Sequence, residues 1–155
     1  MSLDALDFDI LKVLAQDATQ TASQLARKFD LSQPAMWRRI KRLEEAGILA
    51  GRQLDLDAEK LGFGVTVFLG IKLATKGRVS LEDFERAVSA IAEVQTVEHV
   101  LGLYDYRLRV VARDLADFER VLRRRIMTMP GVGDVEANVL LSEERRPGPL
   151  ECIPS

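Results

Sequence analysis

Six cationic side chains lie between Arg27 and Arg42, a stretch that holds a single acid, Asp30. The whole chain of 155 residues has a formal net charge of -2, so the positive charge is concentrated locally. Such a cluster attracts a polyanion even though the net charge of the chain is negative, because charges are screened beyond about 8 Å at physiological salt. The cluster predicts binding to phosphate, and a plain solvated helix face is the alternative interpretation.

Residues suited to catalysis or to metal binding are few. Cys152 and His99 are the one cysteine and the one histidine, too few for a zinc site built from these two residue types. A Ser-His-Asp triad through His99 lacks a supporting G-x-S-x-G motif. We therefore expect a protein that is not an enzyme, with no catalytic residues, no metal and no cofactor.

Cysteine usage and hydropathy indicate the compartment. One cysteine makes no internal disulfide, which is typical of a reducing cytoplasm. The sequence has no run of 18 apolar residues and therefore predicts no transmembrane helix. The acidic start MSLDALDFDI does not resemble a secretory signal. We expect a cytoplasmic protein, and one associated with the nucleoid if its polyanionic partner is DNA.

The first half of the chain has the periodicity of three helices. Apolar residues at helical spacing predict the first helix from about Asp4 to Gln16. Thr21 and Gln24 form a capping box that begins the second helix. Ser32 caps the third helix, and Gly47 ends it in a left-handed conformation.

The third helix has two different faces. Met36, Ile40 and Leu43 form its buried stripe, so the cations occupy the face that cannot be buried. Two short helices joined by a tight turn, the second one basic, predict a helix-turn-helix unit whose second helix enters the major groove of DNA. The alternating segment from Ile48 to Asp57 predicts a short strand, as in a wing or a linker.

The second half predicts a β-α-β-β-α-β order, the ferredoxin-like arrangement. Ser80 and Asp83 form a capping box before its first helix. The four strands are expected at Gly64–Ala74, Val94–Leu103, Tyr106–Ala112 and Val132–Leu141. With both helices on one face, the other face would expose Val67, Leu69 and Ile71, or their alternates. A second copy normally covers such a patch, which predicts a homodimer.

These elements predict an α+β protein with an N-terminal winged helix-turn-helix domain followed by a ferredoxin-like assembly domain. The expected boundaries are 1–50 for the DNA-binding domain, 51–63 for the wing strand and linker, 64–142 for the ferredoxin-like domain, and 143–155 for a C-terminal tail.

Several segments, in this order, resemble the leucine-responsive/asparagine-synthesis regulator family, Lrp/AsnC. They are LDALDFDILKVLAQDA, ASQLARKFDLSQPAMWRRIKRLEEAGIL, LGFGVTVFLGI, GLYDYRLRV and MPGVGDVEANVLL. The resemblance implies a sequence-specific transcription regulator that binds double-stranded DNA. It also implies a small-molecule effector, commonly an amino acid, and dimers that often assemble into octamers or open arrays.

The family resemblance and the faces of the third helix together suggest two sets of site residues. The DNA set is Ser32, Gln33, Ala35, Trp37, Arg38, Arg39, Lys41 and Arg42, with Arg38, Lys41 and Arg42 on phosphate and Gln33 and Trp37 near base edges. Two alternatives stay open: Trp37 packing against the wing, and Arg39 pairing with an acid of the first helix.

The effector set is the turn Gly102, Leu103, Tyr104, Asp105 and Tyr106, with Ala137 on the last strand. Asp105 would accept an α-ammonium, or would bond its own backbone.

The chain departs from the family where an effector would bind. Val135 and Ala137 stand where family members often have Thr or Ser, and Arg107 stands where Leu is usual. An effector with an extra acid group, or no effector, therefore becomes more plausible than leucine. Two other functions remain alternatives: an effector-independent DNA-organising protein, and an enzyme resembling sirohaem decarboxylases, which carry several histidines around the same turn.

Overall fold

The computed structural model describes residues 2–74 and 81–153, which form two compact units. The first unit runs to Asp55 and also includes the chain from Glu144 onward, while the second spans Leu56–Glu143. Ser80, the first residue of the predicted capping box, lies outside the described residues. Within the described ranges, no helix is long and apolar enough to cross a membrane.

Three helices form the first unit: α1 (Ala5–Gln16), α2 (Ala22–Lys28) and α3 (Gln33–Glu45). The predicted caps are confirmed for α2 and α3, since Thr21 accepts from the backbone of Gln24 and Ser32 from that of Ala35. These caps satisfy amides that a helix start leaves without partners. One core packs the three helices together, formed by Ile10, Leu14, Leu25, Ala26, Met36 and Ile40.

Two left-handed residues end α2 and α3. Gly47, at φ 72°, follows α3, and the amide of Ile48 donates to the carbonyl of Leu43 at 3.0 Å. Asp30, at φ 53°, has the same place after α2, where the amide of Leu31 donates to Ala26 at 2.8 Å. The predicted role of Gly47 is confirmed. Asp30 adopts the same conformation with a side chain, which costs conformational energy.

The strand predicted at Ile48–Asp57 is wrong. Residues 50–57 form no strand, and the four strands of the described chain all lie in the second unit. The alternating pattern is present, but a strand needs a hydrogen-bonding neighbour, and no strand of the described chain pairs with this segment. In the first unit, a short 3₁₀ turn (Pro149–Cys152) follows the proline-rich stretch of the tail.

The second unit has the predicted ferredoxin-like topology. Its elements are β1 (Val65–Leu73), α4 (Leu81–Ser89), β2 (Val94–His99), β3 (Tyr106–Ala112), α5 (Leu115–Val121), a π-helical turn (Leu122–Ile126) and β4 (Val132–Val139). The sheet order is β2-β3-β1-β4, and every pairing is antiparallel. α4 ends at Ser89, because Ala90 and Ile91 donate to carbonyls three residues back, which turns the chain toward β2.

The two faces of the sheet differ in chemistry. Val67, Leu69 and Ile71 are fully buried against Phe84 and other helix residues, so their alternates form the open face. That face is more polar than expected. The Phe68 ring lies 5.9 Å from the Arg107 guanidinium and 5.4 Å from that of Arg109. Both arginines are also paired with acids, Arg107 with Glu98 at 2.8 Å and Arg109 with Glu143 at 2.7 Å.

Candidate functional site

The N-terminal part of α3 presents small and polar side chains. Ser32 and Gln33 are exposed, and Ala35 is half-buried. The Gln33 side chain donates to the hydroxyl of Ser23 at 3.0 Å, which links the starts of α2 and α3. Small polar groups at this end of a second helix leave room for base edges in a groove.

Asp7 holds two of the predicted DNA-contacting arginines against α1. The Asp7 carboxylate is fully buried and accepts from Arg39 at 2.8 Å and from Arg42 at 3.0 Å. Arg39 also donates to Asp4 at 2.8 Å. Hydrogen bonds from the Asp7 amide and from Arg39 lower the pKa of Asp4, and those to Asp4 and Asp7 raise the pKa of Arg39. The geometry therefore favours the alternative in which Arg39 pairs with an acid of the first helix rather than with DNA.

Arg38 and Lys41 remain on the solvent face. Arg38 is exposed and makes no ion pair with any residue that the structure describes. The Lys41 ammonium lies 4.7 Å from the centre of the Trp37 ring, and Trp37 is 54% exposed. The last turn of α2 adds Arg27 and Lys28, also exposed, which belong to the cation cluster but were not among the predicted contacts.

A cavity of about 300 Å³ lies at the end of the sheet where β1 meets the turn between β2 and β3. Of the predicted effector residues, the turn positions Gly102, Leu103, Tyr104 and Tyr106 line it. Sequence reasoning missed six further lining residues as site members: Phe68, Leu69, Gly70, Val100, Glu136 and Asn138. Arg107, noted as a departure from the family, completes the wall with a cation.

Tyr104 fits over β1 because residue 70 is glycine. A β-carbon at Gly70 would lie 2.8 Å from the Tyr104 ring, closer than packed atoms allow. The Tyr104 hydroxyl donates to Glu136 at 2.5 Å, and this hydrogen bond raises the pKa of Tyr104. One wall of the cavity thus depends on contacts among β1, the turn and β4.

Asp105 and Tyr106 use their polar groups internally. The Asp105 carboxylate accepts from the backbone of Leu73 at 2.9 Å, and its own amide donates to Ile71 at 2.9 Å. The Tyr106 ring is buried, and its hydroxyl donates to Glu85 at 2.7 Å. Burial, together with this bond, raises the pKa of Tyr106. Asp105 therefore positions the turn through one carboxylate oxygen.

Ala137 is not brought to the cavity. It pairs with Leu69, whose side chain is on the helix-covered face, while Glu136 and Asn138 pair with Gly70 and Phe68 on the open face. Alternation along β4 was clear in the sequence, but which set faces the cavity depends on the register with β1. A single-strand pattern does not give that register.

Two family models match the chain. One is a winged helix-turn-helix DNA-binding domain over residues 3–50, and the other is an Lrp/AsnC ligand-binding domain over residues 66–150. The DNA-binding transcriptional activator DecR of Escherichia coli K12 is 33% identical over 141 residues, 91% of this chain and 93% of that protein. A glutamate uptake regulatory protein of Zymomonas mobilis is 34% identical, with 91% of this chain and 85% of that protein covered.

Solved structures resemble this chain over most of its length. A transcriptional regulator of Neisseria meningitidis in complex with L-Met superposes with a TM-score of 0.87 at 28% identity, over 94% of each chain. An AsnC family regulator of Agrobacterium tumefaciens gives a TM-score of 0.83 at 34% identity, over 92% of this chain and 93% of that one.

Proposed function

Since this chain belongs to the Lrp/AsnC family of DNA-binding transcriptional regulators, we propose that α3 is the helix that reads its operator. The observation that carries this proposal is that the arginines of α3 differ in their ion-pair partners. Arg39 is held by two acids of the first unit, whereas Arg38 is exposed without an ion pair to any residue that the structure describes. Arg38 is thereby left to bind phosphate.

The contacts divide along the helix. Ser32, Gln33 and Ala35 near its start approach base edges, and Trp37 contacts a base or a thymine methyl. Arg38, Lys41 and Arg42 bind phosphate, as do Arg27 and Lys28 from α2. Phosphate contacts fix position and orientation, while base contacts supply specificity. Arg42 serves both Asp7 and DNA, because it stays 49% exposed while paired.

The cavity beside Tyr104 is proposed as the effector site. An amino acid would place its α-carboxylate near the amides of the Gly102 turn and its ammonium near Glu136. The Neisseria meningitidis relative was solved with L-Met, and the Zymomonas mobilis relative is named for glutamate uptake. Arg107 favours an effector with an additional acid group in this chain.

Assembly connects the two sites in this proposal. A homodimer, formed through the open face of the sheet, presents two recognition helices to a pseudo-palindromic operator. Octamers or higher assemblies would bend the DNA, and the effector acts by binding one assembly better than another. We infer a cytoplasmic, nucleoid-associated protein, because its partner is chromosomal DNA.

The decisive experiment is selection of genomic fragments by the purified protein at about 150 mM salt, followed by sequencing. We expect enrichment of a few promoter regions that share a palindrome. Broad enrichment without a motif would instead support the DNA-organising alternative, which the ratio of specific to non-specific affinity separates. No retention of DNA would contradict the proposal, and a haem-type absorbance band would then support the enzyme alternative.

A further inference from the structure

A second cavity, of about 470 Å³, lies at the opposite end of the sheet, where β1 begins and β3 ends. Its walls come from the segment before β1, the start of β2, the end of β3 and the start of α5. Its volume is within the roughly 300–1,000 Å³ typical of small-molecule sites. None of the residues proposed above for DNA or effector binding lines it.

Most of the wall is apolar and accessible. Leu56 and Leu61 line the cavity and are 65% and 60% exposed, and Phe63 and Val111 line it beside them. Large aliphatic side chains at the mouth of a cavity remain in contact with water until an apolar group covers them. This part of the cavity therefore favours a ligand with an apolar body.

Glu93 contributes an acceptor without a donor. Its Oε2 is buried, and among the described residues it is the buried side-chain oxygen that has no hydrogen-bond partner. The Glu93 backbone is held in place, since its carbonyl accepts from the amide of Val111 at 2.9 Å. Leaving a buried carboxylate oxygen without a donor is costly, so the position favours a ligand with an N–H or ammonium group.

Arg113, a cationic residue, also lines this cavity. Its backbone amide donates to Asp117 at 3.0 Å, and the other oxygen of Asp117 accepts from Arg120 at 3.1 Å. The Asp117 carboxylate is therefore already satisfied on both oxygens. The Arg113 guanidinium is exposed and forms no ion pair with a described residue. It is available to a carboxylate from outside the chain.

An apolar wall, an acceptor without a donor and a cation without an anion together match a zwitterion with an apolar side chain. We propose that this cavity is a second amino acid site, which binds an apolar α-amino acid with its ammonium on Glu93 and its carboxylate on Arg113. It goes beyond the proposed function, because it stands whether or not an effector binds beside Tyr104.

The test is calorimetric titration of the full chain with L-leucine, L-methionine and L-phenylalanine. We expect Glu93→Gln and Arg113→Gln each to weaken one class of binding about tenfold or more, since each removes a charged hydrogen-bond partner. Glu59→Gln, the same change on the neighbouring segment but off the cavity wall, should leave binding unchanged. Leucinamide and 4-methylpentanoate, which lack the carboxylate and the ammonium respectively, should bind this site weakly.

Location is checked with crystals grown with L-selenomethionine, whose selenium marks its position. A selenium peak between Leu61 and Val111 is expected. Failure of all three amino acids to bind, insensitivity to both variants, or a second copy's side chain filling the cavity would overturn the proposal. Failure of the first site is seen separately, because Gly70→Ala removes binding beside Tyr104 and leaves Glu93 untouched.

Discussion

At the scale of single residues, the first unit depends on two aspartates with opposite effects. Asp7 is a buried acid satisfied by two arginines and by a place in the capping box of α1. Asp30 is exposed and holds a left-handed backbone conformation without the freedom of glycine. Asp7 should stabilise the fold strongly, while Asp30 should weaken it.

We expect Asp7→Asn to destabilise the first unit by about 2 kcal/mol. Removing one member of a buried ion pair leaves the others without compensation, and the partial exposure of Arg39 and Arg42 moderates that cost. Urea unfolding followed by circular dichroism measures the change. Asp9→Asn, an exposed acid on the same helix, serves as the control, and equal stabilities of the two variants would contradict the expectation.

Asp30→Gly should stabilise the same unit by about 1 kcal/mol. Glycine adopts a positive φ without the steric cost that a β-carbon imposes. The change also removes an anion from the C-terminal end of α2, where the helix dipole is negative. Calorimetric unfolding provides the measurement. Asp30→Ala keeps the β-carbon, so a stabilisation of equal size in that variant would refute the backbone argument.

At the scale of elements, the sequence predicted what local contacts determine. The caps at Thr21 and Ser32, the left-handed Gly47 and the start and end of β3 all follow from residues close in sequence. The strand predicted after α3 does not form, and Ala137 does not line the cavity beside Tyr104, because both outcomes depend on which strand lies alongside. The acid that holds Arg39 was foreseen only as an alternative, since the contact spans 32 residues.

The salt dependence of DNA binding should distinguish the cations of α3. Arg38→Ala is expected to weaken binding to all sequences and to flatten the slope of log K against log salt by about one, the contribution of one phosphate contact. Arg39→Ala should lower the stability of the first unit, because it breaks the pairs with Asp4 and Asp7, and should leave the salt slope nearly unchanged. Binding titrations at several salt concentrations give both slopes, and an unchanged slope for Arg38→Ala and Arg42→Ala together would remove the phosphate assignment.

The contact between β1 and the turn is tested by Gly70→Ala. The new methyl group would collide with the Tyr104 ring and displace it from Glu136. We expect loss of the effector response, with operator affinity in the absence of effector retained. Gly64→Ala, whose β-carbon would meet its nearest atom at an ordinary 3.4 Å, is the control in the same mobility-shift assay. A normal response in Gly70→Ala would show that this cavity is not the effector site.

At the scale of the whole molecule, the open face of the sheet is the surface proposed for assembly. Its centre is Phe68 between two arginines, each held by an acid. Such a face combines one large apolar contact with fixed charges, which suits a self-complementary interface between identical copies. The helix-covered face has no equivalent need for a partner, because its apolar residues already form the core.

Phe68→Glu should convert a dimer into a monomer. The change puts an acid where an aromatic contact is expected between copies, and like charges would then face each other across the two-fold axis. Sedimentation equilibrium measures the mass. Leu115→Glu, an exposed apolar residue on the helix side of the same unit, should leave the mass unchanged, and a dimeric Phe68→Glu variant would exclude the open face as the interface.

The position of the chain's one tryptophan has a practical consequence. Trp37 is half-exposed on the helix proposed to enter the groove, with an ammonium above its ring. Its indole emission therefore comes from that helix alone, with no other indole to dilute it. If α3 enters the groove as proposed, association with an operator should change the surroundings of this ring, and the unlabelled protein would carry its own optical probe of occupancy. Stopped-flow recordings could follow association and release without a dye on either molecule.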